Sequence, residues 1–341
     1  DRRLARITGA QGVMIGLELG QRRGEIGQVL HDERHVEMGI ELLPRLASHQ
    51  LQEHGIALLD SLRMAAHNPS LYFGLRRYGA IAPGYKANLI VFDHTEPFMV
   101  QKVIKQGVII AEHGTKCPAW DECYGTGGGL PRVRDSVNVK WLDASDFAIP
   151  ARGKTIRVID ARPGSIVTGK SLETPLVKDG LCVSDTTRDL IKIFVIERHG
   201  GTGSIGKGFI RGLGLKRGAI GSTVSHDSHN IIVAGVDDTS IFKAVKRLNA
   251  MKGGYVITDG EAVVAELALP IAGLMSDKPV NEVLAALENF SAFFDQEGIR
   301  EASPLMLLSF MALPVIPSLK LTDQGLIDVD EFKVVDLFAE D

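Results

Sequence analysis

Two short stretches of this 341-residue chain concentrate side chains that could do chemistry. The first is "TVSHDSHN" at residues 223–230, which carries His226, Asp227, Ser228, His229 and Asn230 and is followed at once by the apolar run "IIVAG". Imidazole, carboxylate, hydroxyl and amide groups can ligate a metal, move protons or hydrogen-bond a ligand. Because polar groups beside a buried strand are costly unless they are satisfied, this stretch predicts either a functional site or a turn that satisfies itself.

Three interpretations of residues 223–230 stay open: contact with a substrate, sealing of a turn or domain interface, and direct metal ligation. The concrete structural alternative is an Asx-type turn, in which the Asp227 side chain accepts the backbone N–H of Asn230. In an extended segment, His226 and His229 would point to opposite faces, which disfavours a shared metal.

The second stretch is "LHDERHVE" at residues 30–37, which sets Asp32, Glu33 and His35 close together after an apolar segment. At the end of a strand, such a cluster can supply a metal ligand or a proton carrier. A charged helix cap is the alternative that the spacing alone favours.

A glycine-rich stretch, "GTGSIGKG" at residues 201–208, satisfies the G-x-G-x-x-G pattern of phosphate-binding loops. A phosphate site of this kind needs a helix that opens directly after the loop, and a P-loop also needs Ser or Thr after its lysine. Here Lys207 is followed by Gly208, and further glycines interrupt any helix. The stretch predicts a flexible loop rather than a nucleotide site.

The composition is that of an ordinary globular protein, with 45% hydrophobic and 23% charged residues. A net charge of -4 argues against a general nucleic-acid or membrane-surface binder. Three cysteines without a C-x-x-C pair give no disulfide framework and indicate a reducing, cytoplasmic location.

The spacing of apolar residues predicts which helices and strands surround these stretches. Residues 37–66 have the apolar spacing of two helices that stop at Asn68-Pro69, and short strands are expected about Gly107. In the second half, strands are predicted in "KTIRVIDA", "KDGLCVSD" and "LIKIFVIERHG". Helices are predicted in "TSIFKAVKRLNAMKGG" and over 280–296, with a hairpin about Asp259-Gly260.

Residues 61–93 resemble the close of the barrel in the metal-dependent amidohydrolase superfamily, where a helix leads into G-x-I-x-x-G-x-x-A-(D/N)-L-(I/V)-V. The matching positions are Gly79, Ile81, Gly84, Ala87, Asn88, Leu89, Ile90 and Val91. In the second half, "ERHGGTGSIGKGFIRGLGLKRGAIGSTVSHDSHNIIVAG", "LALPIAGLMSD" and "LSFMALPVIPSLKLTDQGLIDV" look like the carboxy-terminal domain of the bacterial adenine deaminases.

The resemblance implies an α/β protein with several parts. Residues 1–76 would form the end of a TIM-type amidohydrolase barrel, and 77–115 a small β-sandwich segment. A joint over 116–160 would lead to an α/β (α+β) carboxy-terminal domain over 161–341.

The resemblance also implies a reaction, hydrolysis of adenine to hypoxanthine and ammonia in purine salvage. The family's centre is binuclear, with Mn or Fe expected and Zn possible. Asp32 matches its metal-binding, proton-shuttling aspartate, although His31 and Glu33 depart from the usual T-D-D-R-H pattern. Residues 226–230 would then face the substrate.

The superfamily's H-x-H ligand pair occurs nowhere in this chain. We therefore expect the chain to be the last part of a longer enzyme or one piece of a split one, acting with a separate amino-terminal chain, and we expect homo-oligomers. Two alternatives stay open: a non-catalytic substrate-gating or assembly module, and an amidohydrolase that acts on another purine or a cyclic amide.

Overall fold

The computed structural model describes residues 57–93, 99–120, 133–299, 301 and 303–339. The chain divides into two compact units, Asp1–Gly129 and Leu130–Asp341. Helices and strands are mixed, as the α/β prediction requires, and the described residues form no closed barrel. The barrel end expected over residues 1–76 falls mostly outside the described residues and stays a prediction. No helix in the described ranges is both long and apolar enough to cross a membrane.

The first unit contains a helical segment that runs past its predicted stop. Helix α1 spans Leu58–Leu62, a π-helical turn follows over Arg63–His67, and helix α2 spans Asn68–Tyr72. The expected stop at Asn68-Pro69 is wrong, because Pro69 occupies the first turn of α2, where a missing backbone N–H costs little.

The same unit contains a four-stranded antiparallel sheet in sequential order. Its strands are β1 (Leu89–Asp93), β2 (Met99–Lys105), β3 (Val108–Glu112) and β4 (Thr115–Lys116). The prediction of strands about Gly107 is confirmed: Gln106 and Gly107 both have positive φ and join β2 to β3.

The second unit is built on an eight-stranded sheet. Its strands are β5 (Ile156–Asp160), β6 (Gly169–Glu173), β9 (Ile191–Ile196), β10 (Ile205–Arg211), β11 (Ala219–Ser222), β12 (Ile231–Gly235), β13 (Gly254–Asp259) and β14 (Ala262–Ala268). They lie in the order β14-β13-β11-β12-β9-β10-β5-β6, and neighbours pair antiparallel except for β5 and β10, which are parallel. The predicted strands in "KTIRVIDA" and "LIKIFVIERHG" and the hairpin about Asp259-Gly260 are thereby confirmed.

Both faces of this sheet are covered. All six residues of β9 are buried, and they alternate between two cores: Ile191, Ile193 and Val195 face one, and Phe194 and Ile196 face the other. A strand that is apolar on both sides is typical of a central strand in a covered sheet. The sheet is therefore the middle layer of this unit.

Three helices supply the covering layers. Helix α3 (Asp238–Ala250) packs on one face, and α4 (Val280–Glu297) and α5 (Pro304–Phe310) on the other. The side chain of Asp237 caps α3 by accepting the backbone N–H of Ser240 at 2.8 Å, and Gly298 ends α4 in the left-handed conformation. Both long helices were predicted from their periodicity and are confirmed.

Two smaller sheets complete the unit. Strands β7 (Leu176–Lys178) and β8 (Leu181–Val183) form a hairpin, which confirms the strand predicted in "KDGLCVSD". Strands β15 (Leu319–Thr322), β16 (Gly325–Asp328) and β17 (Lys333–Val335) form a meander. Part of the stretch expected to be a joint packs into this unit, since Val137, Phe147 and Ile149 are buried there.

Candidate functional site

The stretch "TVSHDSHN" connects β11 to β12 at one end of the central sheet. The strand register places Ser222 opposite Ile232, and Ile196, the last residue of β9, opposite Ile231. Residues 197–204, which connect β9 to β10, therefore lie beside residues 223–230. We call residues 223–230 the strand connection and residues 197–204 the glycine loop.

The strand connection is a compact turn and not an extended segment. The backbone N–H of His229 donates to the carbonyl of Ser225 at 2.7 Å, and that of His226 donates to the carbonyl of Ser309 at 3.0 Å. The expectation that the His226 and His229 rings point to opposite faces assumed an extended segment and does not apply here, and the two ring centroids lie 5.5 Å apart. The alternative Asx-type bond from Asn230 to Asp227 is not formed among the described residues; the bond to Ser225 closes the turn instead.

The two imidazoles have different environments. The His226 ring stacks on the Phe310 ring, with centroids 4.8 Å apart and planes 19° apart. Nδ1 of His229 accepts the backbone N–H of Ser225 at 3.3 Å. Burial lowers the pKa of His229, and the nearby His226 and Arg198 lower it further. His229 is therefore neutral near pH 7, with its proton on Nε2.

Asn230 ties the turn to the rest of the domain. Its Oδ1 accepts the backbone N–H of Arg198 at 3.3 Å, and its Nδ2 donates to the carboxylate of Asp323 at 3.1 Å. With both ends of its amide engaged and only 4% of its surface exposed, Asn230 holds the turn in place. Asp227 and Ser228 lie at the exposed tip.

Arg198 is a site residue that the sequence interpretation missed. It follows β9 and is 1% exposed, yet no ion pair joins it to any described acidic side chain. Its Nε donates to the carbonyl of His229 and its Nη2 to the carbonyl of Ala272 at 3.0 Å. The one available signal was an arginine directly after an apolar strand, and nothing in the sequence named its two backbone partners.

Unpartnered buried polar atoms gather around this turn. In the part of the chain that the structure describes, four buried side-chain polar atoms have no hydrogen-bond partner: Ser136 Oγ, Arg198 Nη1, Ser225 Oγ and Ser309 Oγ. Three of these four residues are bonded to the turn or belong to it. Native proteins leave few such groups, so each needs an explanation, of which a binding or catalytic role is one.

Comparisons with known proteins point to the same region. The model of the adenine deaminase C-terminal domain matches residues 165–333, which contain the glycine loop and the strand connection. Residues 165–333 are therefore similar to the adenine deaminase C-terminal domain. The amidohydrolase family model matches residues 22–110, so both resemblances expected from the sequence are confirmed.

Relatives in several organisms are named adenine deaminase. The protein of Methanothrix thermoacetophila is 45% identical over 84% of this chain and 49% of its own length. That of Desulfatibacillum aliphaticivorans is 43% identical over 83% of this chain and 49% of its own, and adenine deaminase 2 of Carboxydothermus hydrogenoformans is 43% identical over 89% and 53%. The chain spans about half the length of the curated relatives it matches.

Within the residues that match this domain model, the glycine loop wraps around a carboxylate. Glu197 accepts the backbone N–H groups of Gly200 at 2.7 Å and Thr202 at 2.9 Å, that of His199, and the Thr202 hydroxyl at 3.1 Å. Burial raises the pKa of Glu197, but these hydrogen bonds to the ionised form outweigh it and hold the pKa at about 2. The backbone N–H groups of His199, Gly200 and Thr202 are therefore already bonded to the protein's own anion.

The second half of the glycine motif is a strand. Residues 205–208 lie in β10, so the prediction of a flexible loop is wrong for them. The Lys207 ammonium, which a P-loop would offer to phosphate, donates to the carbonyls of Asp146 at 2.6 Å and Ala148 at 2.9 Å. Both contacts are structural, and they hold the 3-10 turn Ala144–Phe147 beside the sheet.

The described residues do not fit a metal. Among them, no three or more His, Cys, Asp or Glu side chains are arranged to hold an ion. The turn offers only two imidazoles, and Nδ1 of His229 already accepts a hydrogen bond. Asp32, the predicted metal ligand and proton carrier, lies outside the described residues, as do Glu33 and His35.

Proposed function

We propose that this chain takes part in the hydrolytic deamination of adenine. Water adds to C6 of the purine and the exocyclic amine leaves, which gives hypoxanthine and ammonia. The observation that supports this most strongly is the match of residues 165–333 to the adenine deaminase C-terminal domain, with the unpartnered polar groups at the turn inside the matched range. The names of the relatives support the same substrate.

The strand connection is the proposed substrate contact. Adenine presents ring nitrogens as acceptors and its amine and ring N–H as donors, and the turn carries a carboxylate, a hydroxyl and two imidazoles. Within the predicted set His226, Asp227, Ser228, His229 and Asn230, the first four have side chains that are at least partly accessible. Asn230 acts indirectly in this proposal, because both ends of its amide are bonded to the protein.

Asp32 is the proposed proton carrier. It lies inside the range that matches the amidohydrolase family, which is generally metal-dependent. The carboxylate of Asp32 would take a proton from the attacking water and deliver it to the leaving amine, since ammonia leaves readily only when the nitrogen is protonated. The proposed cofactor is a pair of divalent ions, Mn or Fe and less favoured Zn, with Asp32 as the one ligand that this chain is expected to supply.

One experiment distinguishes a catalytic chain from a non-catalytic gating or assembly module. The purified chain is analysed for bound Mn, Fe and Zn, and ammonia release from adenine is followed. Turnover with about two equivalents of metal supports a complete enzyme. Turnover that appears only after addition of a polypeptide carrying an H-x-H ligand pair supports a split enzyme. Persistent inactivity towards adenine under both conditions would contradict the proposal and favour a gating or assembly module. Activity on another purine or a cyclic amide instead would mean that this compound, and not adenine, is the substrate.

The role of Asp32 has its own test in the active form so defined. Asp32→Asn keeps the size of the side chain but cannot carry the proton, so turnover should fall by at least about 100-fold. Glu33→Gln, one residue away, is the matched control and should retain turnover. Near-normal activity of Asp32→Asn would refute the proton-carrier role. Cytoplasmic location, purine salvage and homo-oligomers belong to the same proposal.

A further inference from the structure

Arg198 joins the strand connection to a second loop. Its Nε donates to the carbonyl of His229, and its Nη2 donates to the carbonyl of Ala272 at 3.0 Å. One guanidinium group bonds to both carbonyl oxygens at once, and the single ammonium group of a lysine cannot reproduce this contact. The guanidinium therefore fixes the backbone of His229 against residue 272.

The second loop is itself held against the guanidinium. A Cβ atom at Gly273 would lie 2.8–3.0 Å from three guanidinium atoms, so a side chain there would have to displace the guanidinium. The carbonyl of Gly273 accepts the hydroxyl of Thr223 at 2.6 Å. Because the loop is anchored independently of Arg198, it is a fixed surface against which the arginine positions His229.

His229 adopts a conformation that needs such support. Its φ is +54°, in the left-handed region that residues with a side chain seldom occupy. Both contacts of its backbone belong to this site: the N–H donates to Ser225 and the carbonyl accepts from Arg198. The bond from the Ser225 N–H to Nδ1 of His229 then leaves Nε2 as the protonated nitrogen.

Charged and titratable groups reach His229 from several sides. His226 and Arg198 lower its pKa, as does His199 from the glycine loop, whereas Asp227 raises it; burial is the largest effect and lowers it. Helix α5 contributes the ring of Phe310 and the carbonyl of Ser309 to the turn and carries no titratable side chain. The balance favours the neutral imidazole.

We propose that Arg198 is a positioning residue that holds the backbone of His229 so that Nδ1 accepts the Ser225 N–H and Nε2–H can donate to an acceptor atom of the bound substrate, such as a ring nitrogen of adenine. None of the described residues hydrogen-bonds to this Nε2. The identity of the acceptor rests on the proposed function, whereas the tautomer and protonation state of His229 do not.

The state of His229 is measured first, without any activity assay. Long-range proton–nitrogen NMR spectra of the full chain with labelled histidine report the tautomer and pKa of each imidazole, and His229→Gln assigns the signal. In the unaltered chain we expect the Nε2–H tautomer and a pKa below the ordinary value. Arg198→Met should raise that pKa, because a positive charge is removed; Arg247→Met, which removes an arginine paired with Glu266, is the control and should not.

Arg198→Lys separates charge from geometry. The ammonium keeps the charge but cannot span both carbonyls, so the pKa should stay low while the proportion of the Nδ1–H tautomer rises. If Arg198→Met does not fold, this variant decides alone. An unchanged tautomer in folded Arg198→Lys, or an unchanged pKa in folded Arg198→Met, would overturn the positioning role.

The donor role is tested by steady-state kinetics with adenine. Gln places an N–H near the position of Nε2, whereas Asn does not reach it. We expect His229→Asn to raise KM by about 10- to 100-fold, as for a lost hydrogen bond, and His229→Gln to raise it less. Equal KM values for the two variants would overturn substrate donation by His229. Absence of adenine turnover in the unaltered protein would instead contradict the proposed function and leave the NMR result intact.

Discussion

The glycine loop and the strand connection lie side by side at one end of the same sheet, but they differ in how far their polar groups are hydrogen-bonded within the protein. In the glycine loop, the Glu197 carboxylate accepts the Thr202 hydroxyl and the backbone N–H groups of His199, Gly200 and Thr202. Around the strand connection, Ser225, Ser309 and also Arg198, whose backbone is in the glycine loop but whose side chain bonds to His229, each keep a buried polar atom without a partner among the described residues.

This difference matters more than the motif that each stretch resembles. The glycine loop matches a phosphate-binding pattern, yet its donors are occupied by a carboxylate of the same chain. The strand connection matches no general ligand motif, yet the Ser225 hydroxyl and Nε2 of His229 have no hydrogen-bond partner among the described residues. A functional site needs groups that the folded chain has not already satisfied, because an unsatisfied buried group is retained only against its cost in stability.

The largest expected effect comes from Gly206→Ala. A Cβ atom at position 206 would lie 1.8 Å from the carbonyl oxygen of Thr322, so the β15–β16 hairpin has to shift. If this glycine serves packing rather than ligand approach, the substitution should reduce the free energy of unfolding in urea by more than about 3 kcal/mol, or prevent folding.

Gly208→Ala in the same strand is the matched control. The nearest atoms to its Cβ would be 3.4 Å away, at the ends of Ile193 and Leu326, and its φ is not in the left-handed region. We expect a change within about 1 kcal/mol. Equal losses for the two variants would show that Gly206 has no special packing role.

The sequence could not distinguish these two glycines. Strands rich in β-branched residues, such as β9 and β12, were predictable because burial on both faces selects long apolar runs. In β10 the glycines break that signal, and the reason for Gly206 is a backbone atom of Thr322, far along the chain. Because every residue has the same backbone atoms, the residue type of the partner does not reveal such a contact.

The role of Arg198 was not predicted from the sequence for the same physical reason. Its two bonded partners are the carbonyls of His229 and Ala272, and every residue type carries a carbonyl. By contrast, residues 226–230 stood out because their own side chains are polar beside an apolar strand. Sequence patterns thus located the turn but not the arginine that fixes it.

An intermediate effect is expected from Glu197→Gln. The amide keeps the shape but loses the charge that binds the N–H groups of the glycine loop, which should cost about 1.5–3 kcal/mol of unfolding free energy at pH 7. Because folding lowers the pKa of Glu197 to about 2, its stabilisation is fully present above its ordinary pKa and is lost as the pH falls towards 2. The difference between the two proteins in urea should shrink over that range.

Glu261→Gln provides the comparison for this charge. Its side chain is 77% exposed and pairs with Lys243 at 3.3 Å, so we expect a change within about 0.5 kcal/mol. Two results would mean that the ionised carboxylate does not hold the glycine loop. One is a loss of unfolding free energy for Glu197→Gln as small as that for Glu261→Gln, and the other is a loss that is unchanged at pH 2.

The smallest effect is expected from Ser225→Ala, and it bears most directly on the contrast between the two stretches. The Ser225 hydroxyl is buried without a partner among the described residues, so its removal relieves a desolvation cost and loses no hydrogen bond. The free energy of unfolding in urea should stay within about 0.5 kcal/mol of the unaltered value or increase.

Thr223→Val, two residues earlier, removes a hydroxyl of the opposite kind. Thr223 Oγ1 accepts the backbone N–H of Gly254 at 2.8 Å and donates to the carbonyl of Gly273 at 2.6 Å, and the residue is fully buried. Its loss should cost about 1–3 kcal/mol. If Ser225→Ala is as destabilising as Thr223→Val, the strand connection satisfies itself as the glycine loop does, and the reason for placing a ligand there disappears. If Ser225→Ala is neutral in the free protein but raises KM for adenine, the hydroxyl is retained for the substrate rather than for the fold.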